Sequence, residues 1–220
     1  VEILDRYREI CSKIKAAGPA RLIAVSKTQR FEKILTLYEA GQRDFGENYV
    51  QELLEKAALA REAGLSDIRW HFIGHLQTNK VKVLLPHVFA IHSVDSVKLA
   101  TEISKRSEKP NSIFIEVNID SEESKSGVQI SELRKIAEEI HALPNLKILG
   151  LMCIPDPNRK EGSRAAFHRL ATLEADLRPL TQGELSMGMT ADFSEAIAEG
   201  STMIRVGTAI FGERSPREKL

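Results

Sequence analysis

The sequence predicts an α/β fold, a single (β/α)8 barrel with one extra helix ahead of the first strand, on three observations. Short apolar, β-branched runs alternate with longer amphipathic runs along the whole chain, the pattern of repeated strand-helix units around a parallel sheet. Eight strand-like runs can be counted, and 220 residues, taken as one domain over 1–220, suit the roughly 200–250 that a barrel uses. No Pro-, Gly- or Ser-rich linker and no low-complexity tract divides the chain. A doubly wound open sheet would show the same alternation, and pattern alone leaves that alternative standing.

In chain order, VEILDRYREI opens a charged amphipathic helix over about Glu2 to Ala17. Strands are expected at Arg21–Thr28, Asp44–Asn48, Ile68–Gly74, Val88–Val94, Ser112–Ile119, Leu146–Ile154, Glu184–Met189 and Met203–Phe211. Several carry apolar residues on both faces, as strands between a helical layer and a barrel interior should. Leu133, Ile136, Ala137 and Ile140 form one helical stripe; Ala166, Leu170, Leu173 and Leu177 form another. Gly41 and Gly200 sit where helices should stop, and Asp192 with Glu195 three residues on reads as a capped helix start.

Composition narrows function. The 31 basic and 31 acidic side chains balance, which argues against a dedicated nucleic-acid binder, because those carry a basic excess. No run approaches the roughly 20 apolar residues of a membrane helix, and the N-terminus is too charged for a signal peptide, so a cytoplasmic protein is expected. Cys11 and Cys153 lack metal or CxxC spacing and read as reduced, structural thiols.

In a barrel, chemistry belongs at the C-terminal ends of the strands. Lys27 ends the run LIAV and is expected on a rigid strand with its amine in the mouth, where partial burial lowers a lysine's pKa and frees it to attack an aldehyde. The plainer alternative is a strand-end lysine in solvent. Ser186, Gly188 and Thr190 lie in a small-residue turn before the Asp192 helix, and Gly207 and Thr208 end the next strand. Backbone N–H groups, hydroxyls and a helix start there make an anion site, in the loops where barrels most often take phosphate. Neither turn has Walker or dinucleotide spacing. Arg205 alternates with Gly207 and should point inward, toward a carboxylate, a ring nitrogen or a ligand anion. His71 and His75 have i, i+4 spacing, but on a strand and turn and without a third ligand, so they read as core or hydrogen-bonded histidines and no metal is expected. Trp70 and Phe72 should pack against helices, and SEESKSG (121–127) reads as a solvated loop in which Lys125 could meet an anion.

Seven ordered blocks, VSKT at 25–28, FGENYVQE at 45–52, WHFIGHLQTNK at 70–80, VNID with SKSGV at 117–128, GLM at 150–152, LSMGMTADFSEAI at 185–197 and GSTMIRVGTAIFG at 200–212, closely resemble the pyridoxal phosphate homeostasis proteins. That family is similar to the N-terminal barrel domain of alanine racemases. The resemblance implies a fold-type III barrel carrying pyridoxal 5'-phosphate (PLP) as an internal aldimine on Lys27. It also implies Asn48 beside the cofactor, Arg205 facing the pyridine nitrogen, and a phosphate cradle of Ser186, the backbone at Met187 and Gly188, and Gly207 and Thr208. Lys125 matches a lysine suggested as a second, weaker cofactor contact. The implied role is to bind, buffer and deliver PLP in vitamin B6 homeostasis, with PLP-dependent apoenzymes as recipients and no established turnover. An arginine at the ring nitrogen disfavours its protonation and predicts a weak electron sink. The alternative is a small amino-acid racemase, which needs an acid/base on the far face of the cofactor, supplied in alanine racemases by another domain. Here only Tyr49 lies near enough. A monomer is expected.

Overall fold

The computed structural model describes residues 2–121, 126–158 and 162–212. Its strands are β1 (Arg21–Val25), β2 (Asp44–Glu47), β3 (Arg69–Phe72), β4 (Ala90–Val94), β5 (Asn111–Asn118), β6 (Val128–Gln129), β7 (Leu146–Met152), β8 (Glu184–Ser186) and β9 (Met203–Val206). All pair in parallel, in the order β4-β3-β2-β1-β9-β8-β7-β5, and a β4–β5 pairing joins the two ends. That closure makes an eight-stranded barrel and excludes the open doubly wound sheet. The eight expected strands are the eight staves. The two-residue β6, which the sequence pattern did not suggest, adds onto the end of β5 through Val117 and Asn118.

The helices are α1 (Ile3–Ala17), α2 (Phe31–Glu39), α3 (Val50–Glu62), α4 (Val81–Leu84), α5 (Val97–Arg106), α6 (Leu133–His141), α7 (Gly162–Leu177), α8 (Phe193–Ala198) and α9 (Thr208–Phe211). Their apolar faces explain them. In α6 the stripe Leu133, Ala137 and Ile140 is buried, and burying each large side chain contributes roughly 1.5–3 kcal/mol. In α5, Ser96 caps the start by accepting from the Leu99 N–H. The extra helix α1 packs on α8 and α9, and Arg6 reaches from it to donate to the Ile210 carbonyl at 2.7 Å.

Alternation sorts the strand residues into two cores. Phe45, Trp70, Phe72, Ile91, Ile113 and Ile115 face the helices in the main core. Ile23, Ala90, Phe114, Leu149, Met152 and Met203 form a separate cluster inside the barrel. Close strand contact is needed at Gly150, where a Cβ would fall 1.7 Å from the Glu184 carbonyl oxygen.

Three strand ends fall three or more residues short of expectation, and one of them is β8, which stops at Ser186 rather than Met189. The last strand stops at Val206 rather than Phe211, because Gly207 turns the chain and Thr208–Phe211 coil into α9, whose Ile210 and Phe211 are buried. The first stops at Val25, so Lys27 sits in the following turn and not on the strand. At β9 apolar side chains continue past the last ladder hydrogen bond; at β1 the residues beyond it, Ser26, Lys27 and Thr28, are polar, and the chain leaves the sheet in the turn closed by the Gln29 N–H on the Ser26 carbonyl.

Candidate functional site

The turn after β1 begins where the Ser26 N–H makes its bond to the Gly46 carbonyl at 2.9 Å and the Gln29 N–H turns back to the Ser26 carbonyl at 3.0 Å. Lys27 is half-buried in that turn, and Thr28 adopts φ 62°, unusual for a residue with a branched side chain. Beneath it lies a buried ionic cluster. Ser26 donates its hydroxyl to Glu47 Oε1 at 2.6 Å. Lys56, on α3, donates to the Ser26 carbonyl (2.6 Å), Glu47 Oε1 (2.7 Å) and Glu52 Oε1 (2.7 Å), and Glu52 Oε1 also accepts from the Thr28 N–H (2.5 Å). Burial raises the Glu47 carboxyl to about 7, against the opposing pull of Lys56 and Ser26. Next along, Asn48 keeps its Oδ1 buried without a partner among the described residues, and alternation carries this residue toward the barrel axis.

Arg205, on β9, is 4% exposed and points into the barrel. Its Nη1 donates to the Ser186 carbonyl (2.7 Å) and hydroxyl (2.6 Å), and its Nη2 to the Cys153 carbonyl (2.9 Å). From there a line of polar groups runs down through the barrel: Ser186 Oγ to His92 Nδ1 at 2.8 Å, His92 Nε2 to His71 Nδ1 at 2.9 Å, and His71 Nε2 to Asp44 Oδ1 at 2.9 Å. Arg69 clamps Asp44 from below with two bonds, at 2.7 and 2.5 Å. The proton placement follows from the ends. An ionised Asp44 only accepts, so His71 donates from Nε2, His92 donates from Nε2 to His71, and Ser186 donates to His92 while accepting from Arg205. Burial depresses both histidines, with the charge of Arg205 adding to the effect on His92, so both are neutral. Burial would raise Asp44, but the bonds from Arg69 and His71 outweigh it and hold the carboxyl at about 2.

The loops after β8 and β9 lie side by side. Gly188 has φ 94°, and a Cβ there would stand 2.5 Å from the Ala196 Cβ, so glycine is required on both counts. Asp192 is the residue before α8, as expected. Its carboxylate, however, reaches back to accept from the Met189 N–H at 2.7 Å and does not cap the helix, which closes the loop. The Thr190 and Thr208 hydroxyls approach to 3.4 Å at the exposed rim. The Met187 N–H is taken by the Met203 carbonyl at 3.1 Å, while Gly207 packs against Val25, 3.3 Å from its oxygen to an added Cβ.

The residues singled out from sequence therefore gather on four adjacent strands: Asn48 after β2, Lys27 after β1, Arg205, Gly207 and Thr208 on β9 and its turn, and Ser186, Met187 and Gly188 on β8 and its turn. Ser186 is fully buried with its hydroxyl committed to His92 and Arg205, so its place in the site is beneath the arginine. His71 and His75 do not meet: His71 is buried inside the barrel, whereas His75 is exposed, 3.9 Å from Asp95. Lys125 lies outside the described residues. Asp44, His92 and Lys56 were not found from sequence. For Asp44 and His92 the available signal was a polar side chain at an alternate position of an otherwise apolar strand, but their side-chain partners lie 21 to 94 residues away. Two clefts flank the mouth. One, of about 380 Å³, is lined by Glu116, Asn118, Asp120, Ser126, Ile154 and Pro155; the other, of about 350 Å³, by Asn48, Tyr49, His75 and Lys80.

Residues 2–215 match the sequence profile of the family described as alanine racemase, N-terminal domain. The pyridoxal phosphate homeostasis protein of Aquifex aeolicus is 42% identical over 96% of this chain and 95% of its own. The structure of PipY from Synechococcus elongatus PCC7942 with PLP bound superposes with a TM-score of 0.88 at 35% identity, over 96% of this chain and all of that one. Alanine racemase from Corynebacterium glutamicum, 18% identical, shares the fold with a TM-score of 0.75 over 96% of this chain and 60% of its own. With both the profile and the near-full-length identity in agreement, this chain belongs to the pyridoxal phosphate homeostasis proteins of the alanine racemase N-terminal domain family.

Proposed function

We propose that this chain binds PLP at the C-terminal mouth of its barrel, holds it covalently through the Lys27 amine, and acts in the cytoplasm as a monomeric, single-domain carrier and buffer in vitamin B6 homeostasis. PLP-dependent apoenzymes are its recipients. The observation that carries this reading is the convergence of Asn48, Lys27, Arg205 and the Gly188 and Gly207 turns on neighbouring strands.

The residues fit the group. A guanidinium has five N–H donors and Arg205 spends three on Ser186 and Cys153, leaving capacity for a ring nitrogen. The buried Asn48 Oδ1, without a partner among the described residues, can accept from a ring substituent, and two tight glycine turns with the Thr190 and Thr208 hydroxyls beside them suit a phosphate. When bound, PLP supplies an aldehyde to the amine and a ring that can withdraw electrons. This chain's residues limit the second property, because a cationic arginine held in a fixed frame disfavours protonation of the ring nitrogen. Storage and release are favoured over turnover.

The proposal is tested by titrating PLP into purified protein and following visible absorbance. Wild type is expected to develop the band of a protein-linked Schiff base, and Lys27→Ala to show only free PLP; equal bands in both would remove Lys27 from the site. A racemase reading is supported by Tyr49, 59% exposed and next in sequence to Asn48. Prolonged incubation with single amino-acid enantiomers, analysed on a chiral column, separates the two: interconversion above the Lys27→Ala level would favour the racemase.

A further inference from the structure

Lys27 lies beyond the end of β1, in the turn that follows it, and a covalent site needs the amine held within a fraction of an ångström. Both neighbours of Lys27 are fastened to the same ionic group. Ser26 is held through its hydroxyl by Glu47 and through its carbonyl by Lys56, and Thr28 through its N–H by Glu52. Lys56 is 5% exposed and its three ammonium donors are all used, one on the turn and two on the carboxylates that hold the turn. Buried ion groups of this kind are a poor source of net stability, since desolvation offsets the attraction. Their geometry has a different use here: the group ties α3 and the end of β2 to the two residues that flank the amine, and it secures the unfavourable φ of Thr28.

We infer that Glu52, Lys56 and Glu47 are positioning residues that set the Lys27 turn for attack on the cofactor aldehyde. The inference rests on the reading of Lys27 given above and goes beyond it in assigning residues that never touch the cofactor.

Glu52 is the variant of choice, because its side chain is 22% exposed and the chain should fold without it. Two readouts are compared in wild type, Glu52→Ala and Glu52→Gln, all in the apo form at the start. The first is hydrogen exchange of the Thr28 amide without added PLP. The second is the rate at which Lys27 captures PLP, quenched with borohydride and measured by peptide mass. Glu52→Ala is expected to speed exchange and slow capture, each by about tenfold, the scale of one lost bond to a charged group. Glu52→Gln keeps an acceptor and is expected to restore both to within about threefold, with an unchanged thermal transition. Wild-type exchange and capture in Glu52→Ala would overturn the positioning role while leaving Lys27 in place; failure of Glu52→Gln to rescue would overturn it as well. If wild type itself captures no PLP at Lys27, the functional reading fails instead, and the exchange comparison alone decides whether Glu52 holds the turn.

Discussion

His71 and His92 stand end to end inside the barrel, each donating from Nε2, and each is kept neutral by burial. Their folded-state pKa values lie below the ordinary 6.5, so the unfolded chain takes up protons that the folded chain refuses. Their contribution to stability is therefore present above pH 6.5 and lost as pH falls below it. Each histidine kept neutral in the folded chain adds at most about 1.4 kcal/mol per pH unit to that loss. Urea unfolding as a function of pH should show stability falling as pH drops below 6.5, and His92→Gln should weaken that dependence. Asp44 acts lower: held at about 2 against an ordinary 3.8, it contributes above 3.8 and loses that contribution as pH falls toward about 2. Asp44→Asn should cost about 2 kcal/mol at neutral pH, with the difference from wild type closing below pH 3.8. Lys27 and Arg205 were legible in the sequence because a cation within an apolar run needs a reason. Asp44 and His92 were not, because each makes sense only through a partner on another strand.

At the scale of elements, the β8 and β9 turns depend on backbone that only glycine supplies. Gly188→Ala should destabilise by about 2 kcal/mol or more, from the positive φ together with the 2.5 Å approach to Ala196, and chemical denaturation would measure it. Ile140→Ala on α6, far from the mouth, should cost about 3 kcal/mol and leave PLP affinity unchanged, separating packing from binding in the same assays. The helical stripes were readable because period and burial coincide, as in α6 and most of α7. Strand ends were less so. The run MIRVGTAIF is apolar apart from Arg205 and Thr208, and only the turn at Gly207 tells strand from helix; VSKT leaves the ladder at Ser26.

For the whole molecule, the barrel's closure decides where the site can be. Alternating strands and helices announced eight units, but a closed ring also needs its first and last staves, β1 and β9, to pair, a contact that the pattern does not contain. Closure brings β2, β1, β9 and β8 together, residues 44 to 47 beside 184 to 206, and so assembles a site from both ends of the chain. The neutral overall charge fits an anion held by a local cradle of turns rather than by a basic surface. Light scattering on purified protein should return the mass of one chain with and without PLP. Covalent holding of PLP by Lys27 is most directly tested by incubating the protein with PLP, reducing with borohydride and mapping the modified peptide by mass spectrometry. One reduced pyridoxyl phosphate adduct is expected, on Lys27; an unmodified Lys27, or an adduct carried in equal amount by Lys27→Ala protein, would contradict covalent binding there.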